Sequence, residues 1–216
     1  MIIMRATVFA GVVLLGAARA FCAIDSYDEL VGITMAACNR SEVFLLDSFT
    51  NDVACYRRVC TGAVERCTAD LSMVVALAYR LDNDEGLVGS GVSRLLCVNT
   101  LTNVLSVADL PVDSWVWYAS AFELASILNG DEKGAESFCV TTNALARLSQ
   151  FPPNMMVTNF WNGLMALENC RGLSIQTALQ LNAAVILADE GKWEDVVVYT
   201  NHLPAVAIKM FEDDMR

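Results

Sequence analysis

Residues 117–148 read WYASAFELASILNGDEKGAESFCVTTNALARL, and their spacing decides the fold. Trp117, Ala121, Leu124, Ala125 and Leu128 recur at i, i+4, i+7, i+8 and i+11, one continuous stripe on an α-helix. Asn129-Gly130 stops that helix, and Asp131 is placed to cap a second. The second helix has its own stripe, Ala135, Phe138, Cys139, Thr142, Leu145 and Leu148. Pro152-Pro153 closes it, because proline lacks the donor that a helix interior requires. Two helices joined by so short a turn run antiparallel, so the stretch predicts a helical hairpin.

The same punctuation continues on both sides. Toward the C-terminus, helices are expected at about 154–169, 174–189 and 193–203, with Pro204 ending or kinking the last before an acidic tail. Their connections, Cys170-Arg171-Gly172-Leu173 and Glu190-Gly191-Lys192, are short enough to force antiparallel neighbours. Toward the N-terminus, helices are expected near 26–37, 41–62, 66–82 and 88–107. Val and Thr are frequent in SRLLCVNTLTNVLSV, residues 93–107, which leaves a strand open there, although strict alternation is absent. Four prolines, no charge block and no Gly/Ser-rich run interrupt the chain, so no linker divides it. The expectation is an all-α protein of antiparallel helical hairpins, stacked as a short solenoid or an irregular bundle. It forms one domain over residues 21–216, with a repeat-like half at 113–216.

The stretch LQLNAAVILADEGKWEDVVVYTNHLP, residues 179–204, places small Ala183 and Ala184 where one helix must approach another. Gly191 stands at the turn, Trp193, Val196 and Tyr199 run along the second helix, and Pro204 follows it. In these residues the stretch resembles a tetratricopeptide repeat. It departs from that pattern in Gln180 or Leu181, where the family's first aromatic is expected, and in Val196, where alanine is usual. Residues 115–152 form a similar hairpin whose spacing is too long for the repeat's period. The resemblance implies stacked hairpins that present a face to another protein.

At the N-terminus, Arg5 precedes an apolar run from Ala6 to Ala18, and Ala18-Arg19-Ala20 supplies small residues where a signal peptidase cleaves. Residues 1–20 are therefore expected to be a secretory signal. The rival is retention of Met1 to Ile24 as a membrane helix, against which the run is shorter than the roughly 20 residues needed to span a bilayer. Ser26-Tyr27-Asp28-Glu29 then has the spacing of a helix capping box, where the folded domain is expected to begin.

A secretory route permits disulfides among the eight cysteines, Cys22, Cys38, Cys55, Cys60, Cys67, Cys97, Cys139 and Cys170. Eight cysteines allow about 105 full pairings, so spacing fixes no connectivity. Asn39-Arg40-Ser41 is an N-glycosylation sequon. A formal net charge of -11 repels phosphate backbones and anionic lipid, which excludes nucleic acid as an expected partner. Hydrophobic residues at 55% point to an extensive core or to an apolar face reserved for a partner.

Catalytic patterns are not found. His202 is the one histidine, and it stands near a predicted helix end where a cation complements the macrodipole, with no nucleophile placed beside it. Cys55, Cys60 and Cys67 lack the paired spacing of a zinc site. Asp82 to Gly86 fails the register of a calcium loop, since its glycine is fifth and Ser93 stands twelfth. GSGVS, residues 89–93, lacks the last glycine of either a dinucleotide fingerprint or a nucleophile elbow. The acidic pairs Asp189-Glu190 and Glu194-Asp195 suit a solvated face or a basic partner better than a cleft. No cofactor or metal is expected. The reading is a non-enzymatic secreted or lumenal protein-binding module, with Trp161, Trp193 and Tyr199 as candidate partner-surface residues. The alternative is a membrane-anchored accessory subunit of a larger complex, held in an organelle by its N-terminal helix.

Overall fold

The computed structural model describes residues 24–30, 43–83, 90–111, 114–150 and 175–215. Among them the chain is all-α, with no strand. A helical turn at 27–30 precedes α1 (Val43–Val59), α2 (Ala63–Asn83), α3 (Ser90–Leu105), α4 (Trp115–Gly130), α5 (Gly134–Leu148), α6 (Ile175–Asp189), α7 (Trp193–Thr200) and α8 (Ala205–Asp214). Each helix from α1 to α6 packs on its successor, and α2, α4, α6 and α8 also pack on one another in that order. The result is a series of hairpins whose even-numbered members share an inner row.

That row explains the composition of α4 and α6. A helix with neighbours on several sides must be apolar nearly all round, and must carry small residues where backbones approach. Ala119, Ala121 and Ala125 on α4, and Ala178, Ala183 and Ala184 on α6, are buried at such crossings. One core runs from Leu71 and Val74 on α2, through Leu101, Tyr118, Leu124 and Leu179, to Ala207 on α8. A second cluster joins Ile24 and Leu30 to Phe49, Val53 and Tyr56 of α1 and Ala69 of α2. Ser26 begins the helical turn as expected: its Oγ accepts the Glu29 N–H at 3.2 Å, and the Glu29 carboxylate accepts the Asp25 N–H at 2.7 Å.

Three local expectations are corrected. The buried face of α5 is Ser137, Thr141, Ala144 and Leu148, while Ala135 and Cys139 are exposed. Ser137 Oγ donates to the Ala125 carbonyl at 2.6 Å and Thr141 Oγ1 to Ser137 O at 3.0 Å, so small hydroxyl residues with satisfied protons let α5 lie close to its neighbours. Asp131 does not cap α5. It closes α4 and pairs with Arg94 of α3 at 2.5 Å, while the N-cap position of α5 falls to Lys133. The helix expected near 88–107 forms as α3, and no strand is present at 93–107. The segment after Pro204 is helical, because Ala207 packs into the core and proline is tolerated at a helix start. The helices expected at 154–169 and over most of 26–37 fall outside the described residues.

The turns of the hairpins α4/α5 and α6/α7 are built alike. Glu132 N–H reaches Asn129 O and Lys133 N–H reaches Leu128 O, just as Gly191 N–H reaches Ala188 O and Lys192 N–H reaches Leu187 O. Both caps need one residue in the left-handed region. Gly191 supplies it with φ 73° and Glu132 with φ 61°, and α4 ends at Gly130, where the sequence expected it to stop.

Candidate functional site

The two turns meet at one end of the stack. Asn129 Nδ2 donates to Asp189 Oδ2 at 2.9 Å, and the Glu190 side chain lies against Gly134 at the start of α5. Lys192 Nζ is 2.5 Å from the other Glu190 oxygen. A carboxylate at this point complements the positive end of the α5 macrodipole, where Lys133 offers no side-chain cap. The Asp189-Glu190 pair thus joins two hairpins and is not a free acidic site.

Beyond that seam, α7 turns one face outward. Trp193 is 56% exposed, and Val197, one turn later on the same side, is 51% exposed. Val198 is exposed as well, as are Glu194 and Asp195. The inner side of α7 is anchored by buried Val196 among Ala184, Leu187 and Ala188 of α6. Trp115 and Trp117 behave differently. Trp115 is buried, and Trp117 is half-buried with its Nε1 donating to Leu105 O at 3.1 Å and the Arg147 guanidinium 4.2 Å from its ring centroid. Among the described tryptophans, Trp193 alone is exposed.

Of the three expected partner-surface residues, Trp193 is placed at the surface. Tyr199 is not: its ring packs edge-to-face on Phe138 with centroids 6.0 Å apart, and it helps to hold α7 to α5 and α6. Trp161 lies outside the described residues. Sequence reasoning missed Val197 and Val198, one and two positions from buried Val196 in a run of three identical residues. It also missed Leu95 and Leu96, exposed on α3.

The cysteine expectation is corrected in part. Cys55, Cys60, Cys67, Cys97 and Cys139 are free thiols, so none of these five is paired with another. Cys67 and Cys97 are buried as small apolar side chains. Burial pushes the Cys97 thiol up to about 11, with the Glu123 carboxylate adding to the effect. Cys22, Cys38 and Cys170, and the sequon residue Asn39, lie outside the described residues.

A half-open depression of about 450 Å³ is lined by Ile24, Asp25, Tyr56, Val59, Cys60, Thr61 and Glu65. Burial raises the Cys60 thiol, and Glu65 reinforces the rise, so this wall does not hold the activated thiolate that nucleophilic catalysis requires. His202 is exposed in the turn between α7 and α8. Among the described residues, no three His, Cys, Asp or Glu side chains gather as metal ligands, and no helix is long and apolar enough to cross a membrane. Residues 1–20, the expected signal or anchor, lie outside them.

Comparison with family models, with curated proteins and with solved structures finds no match to the chain.

Proposed function

We propose that the chain is a non-enzymatic protein-binding module of the secretory pathway, secreted or lumenal, whose hairpins hold the outer face of α7 toward a partner. The observation that carries this reading is Trp193. A large aromatic side chain left in water on a well-anchored helix, with Val197 beside it, has the composition of an interface centre. The hairpin stack and the likeness of residues 179–204 to a tetratricopeptide repeat support the same use. The secretory setting rests on the leader-like residues 1–20.

Purification from the native cell under mild conditions tests the proposal. The expected result is a complex with another protein in stoichiometric amount. Recovery solely as a monomer with nothing bound contradicts it.

A further inference from the structure

Resting on the protein-binding reading, we infer that the partner segment is a basic amphipathic helix, apolar along one stripe and bordered by lysine or arginine. Each residue advances about 100° around a helix, so Trp193 and Val197 lie about 40° apart, Glu194 about 60° beyond Val197, and Val198 about 40° beyond Glu194. The carboxylate therefore stands inside the apolar face and not at its margin. Any partner that covers Trp193, Val197 and Val198 together also covers Glu194. An uncharged apolar partner would strip water from that carboxylate and give nothing back, whereas a lysine or arginine at the stripe's border meets it.

The surrounding charge points the same way. Helix α7 contains no lysine, arginine or histidine, and Asp195 extends its negative side. Lys192, the cation just before it, is engaged by Glu190. Lys133 stands across the seam at the start of α5, and Lys209 stands beyond α7 in α8. A second copy of this chain would bring an identical acidic face and a net charge of -11 against the first, which disfavours self-association. With only two turns of helix presented, the contact is small, and a dissociation constant in the micromolar range is expected.

The probe is a fluorescein-labelled model helix of leucine and lysine, about five turns long, with leucine on one face. Its anisotropy is titrated with the full chain, beside a matched helix in which glutamate replaces every lysine. The lysine helix should bind and the glutamate helix should not. Trp193→Ala/Val197→Ala and Glu194→Gln/Asp195→Asn should each weaken binding by about fivefold or more, and the second should also flatten its salt dependence. Asp28→Asn/Asp109→Asn removes the same charge from exposed positions on elements that do not pack on α7 and should leave binding unchanged. Equal losses in the two charge-matched variants, or full binding by Trp193→Ala/Val197→Ala, would overturn the inference. If the glutamate helix binds in a Trp193-dependent way, the basic partner is refuted while the protein-binding reading stands. If neither helix binds and the natively purified chain is a bare monomer, both are refuted.

Discussion

Glu190 and Gly134 touch across the seam between two hairpins: the Glu190 carboxylate fills the space that a Cβ at position 134 would need. The contact couples a turn residue of one hairpin to the first helical residue of the other. Gly134→Ala should normally gain about 0.5–1 kcal/mol from helix propensity. Here that gain should be largely cancelled by displacement of Glu190, and should reappear in a Glu190→Ala background. Denaturant unfolding of the four-member cycle should show a coupling of about 0.5–1 kcal/mol. Additive effects would mean that the two side chains do not constrain each other.

The two hairpin turns give opposite predictions from one geometry. Gly191 holds φ 73°, so Gly191→Ala forces a side chain into the left-handed region and should cost about 1–2 kcal/mol. Glu132 already bears that strain at φ 61°, so Glu132→Gly should be neutral to stabilising by up to about 1 kcal/mol. Melting temperatures shifting in opposite directions check both.

The turns also show what the sequence could carry. Among the described residues, helix existence, the antiparallel hairpins and the left-handed Gly191 were all legible, because periodicity and glycine are local signals. The orientation of α5 was not. Its inward residues are Ser137 and Thr141, polar by composition, and only the Ala125 carbonyl across the interface makes Ser137 a core residue. Likewise, in the run Val196-Val197-Val198 nothing but the position of α6 decides which valine is buried. Trp193 was legible as a candidate through its resemblance to a repeat position, whereas Tyr199 had the same credentials and proved to be packed.

Ser120 is fully buried on α4, and its hydroxyl has no hydrogen-bond partner among the described residues. Removing an unsatisfied buried hydroxyl without changing shape relieves a desolvation penalty. Ser120→Ala should therefore stabilise the protein by about 1 kcal/mol. Ser137→Ala, which deletes a satisfied hydroxyl and its bond to the Ala125 carbonyl across the interface, should destabilise it by about 1 kcal/mol. Chemical denaturation of both variants tests the contrast.

Cys97 and Tyr27 both lose stabilising protonation at alkaline pH. The Cys97 thiol is raised from 9.0 to about 11 and the Tyr27 phenol from 10.0 to about 12, each chiefly by burial. The folded state thus holds protons that the unfolded state has already released. That contribution to stability is fully present below pH 9, falls as pH rises through about 11 for Cys97, and falls through about 12 for Tyr27. Stability should decline across this window, with a shallower slope in Cys97→Ala between pH 9 and 11 and in Tyr27→Phe between pH 10 and 12. In the folded protein at neutral pH, exposed Cys139 should react with a thiol reagent well before Cys97.

The central claim is that the outer face of α7 is covered by another polypeptide in the cell. Replacing Val197 with a photo-crosslinking phenylalanine analogue, and exposed Cys139 of α5 with the same analogue as a control, tests it in the native cell. The account predicts one dominant adduct from position 197, absent from position 139 and lost when Trp193→Ala is added. Adducts identical from both positions, or none from position 197, would contradict it.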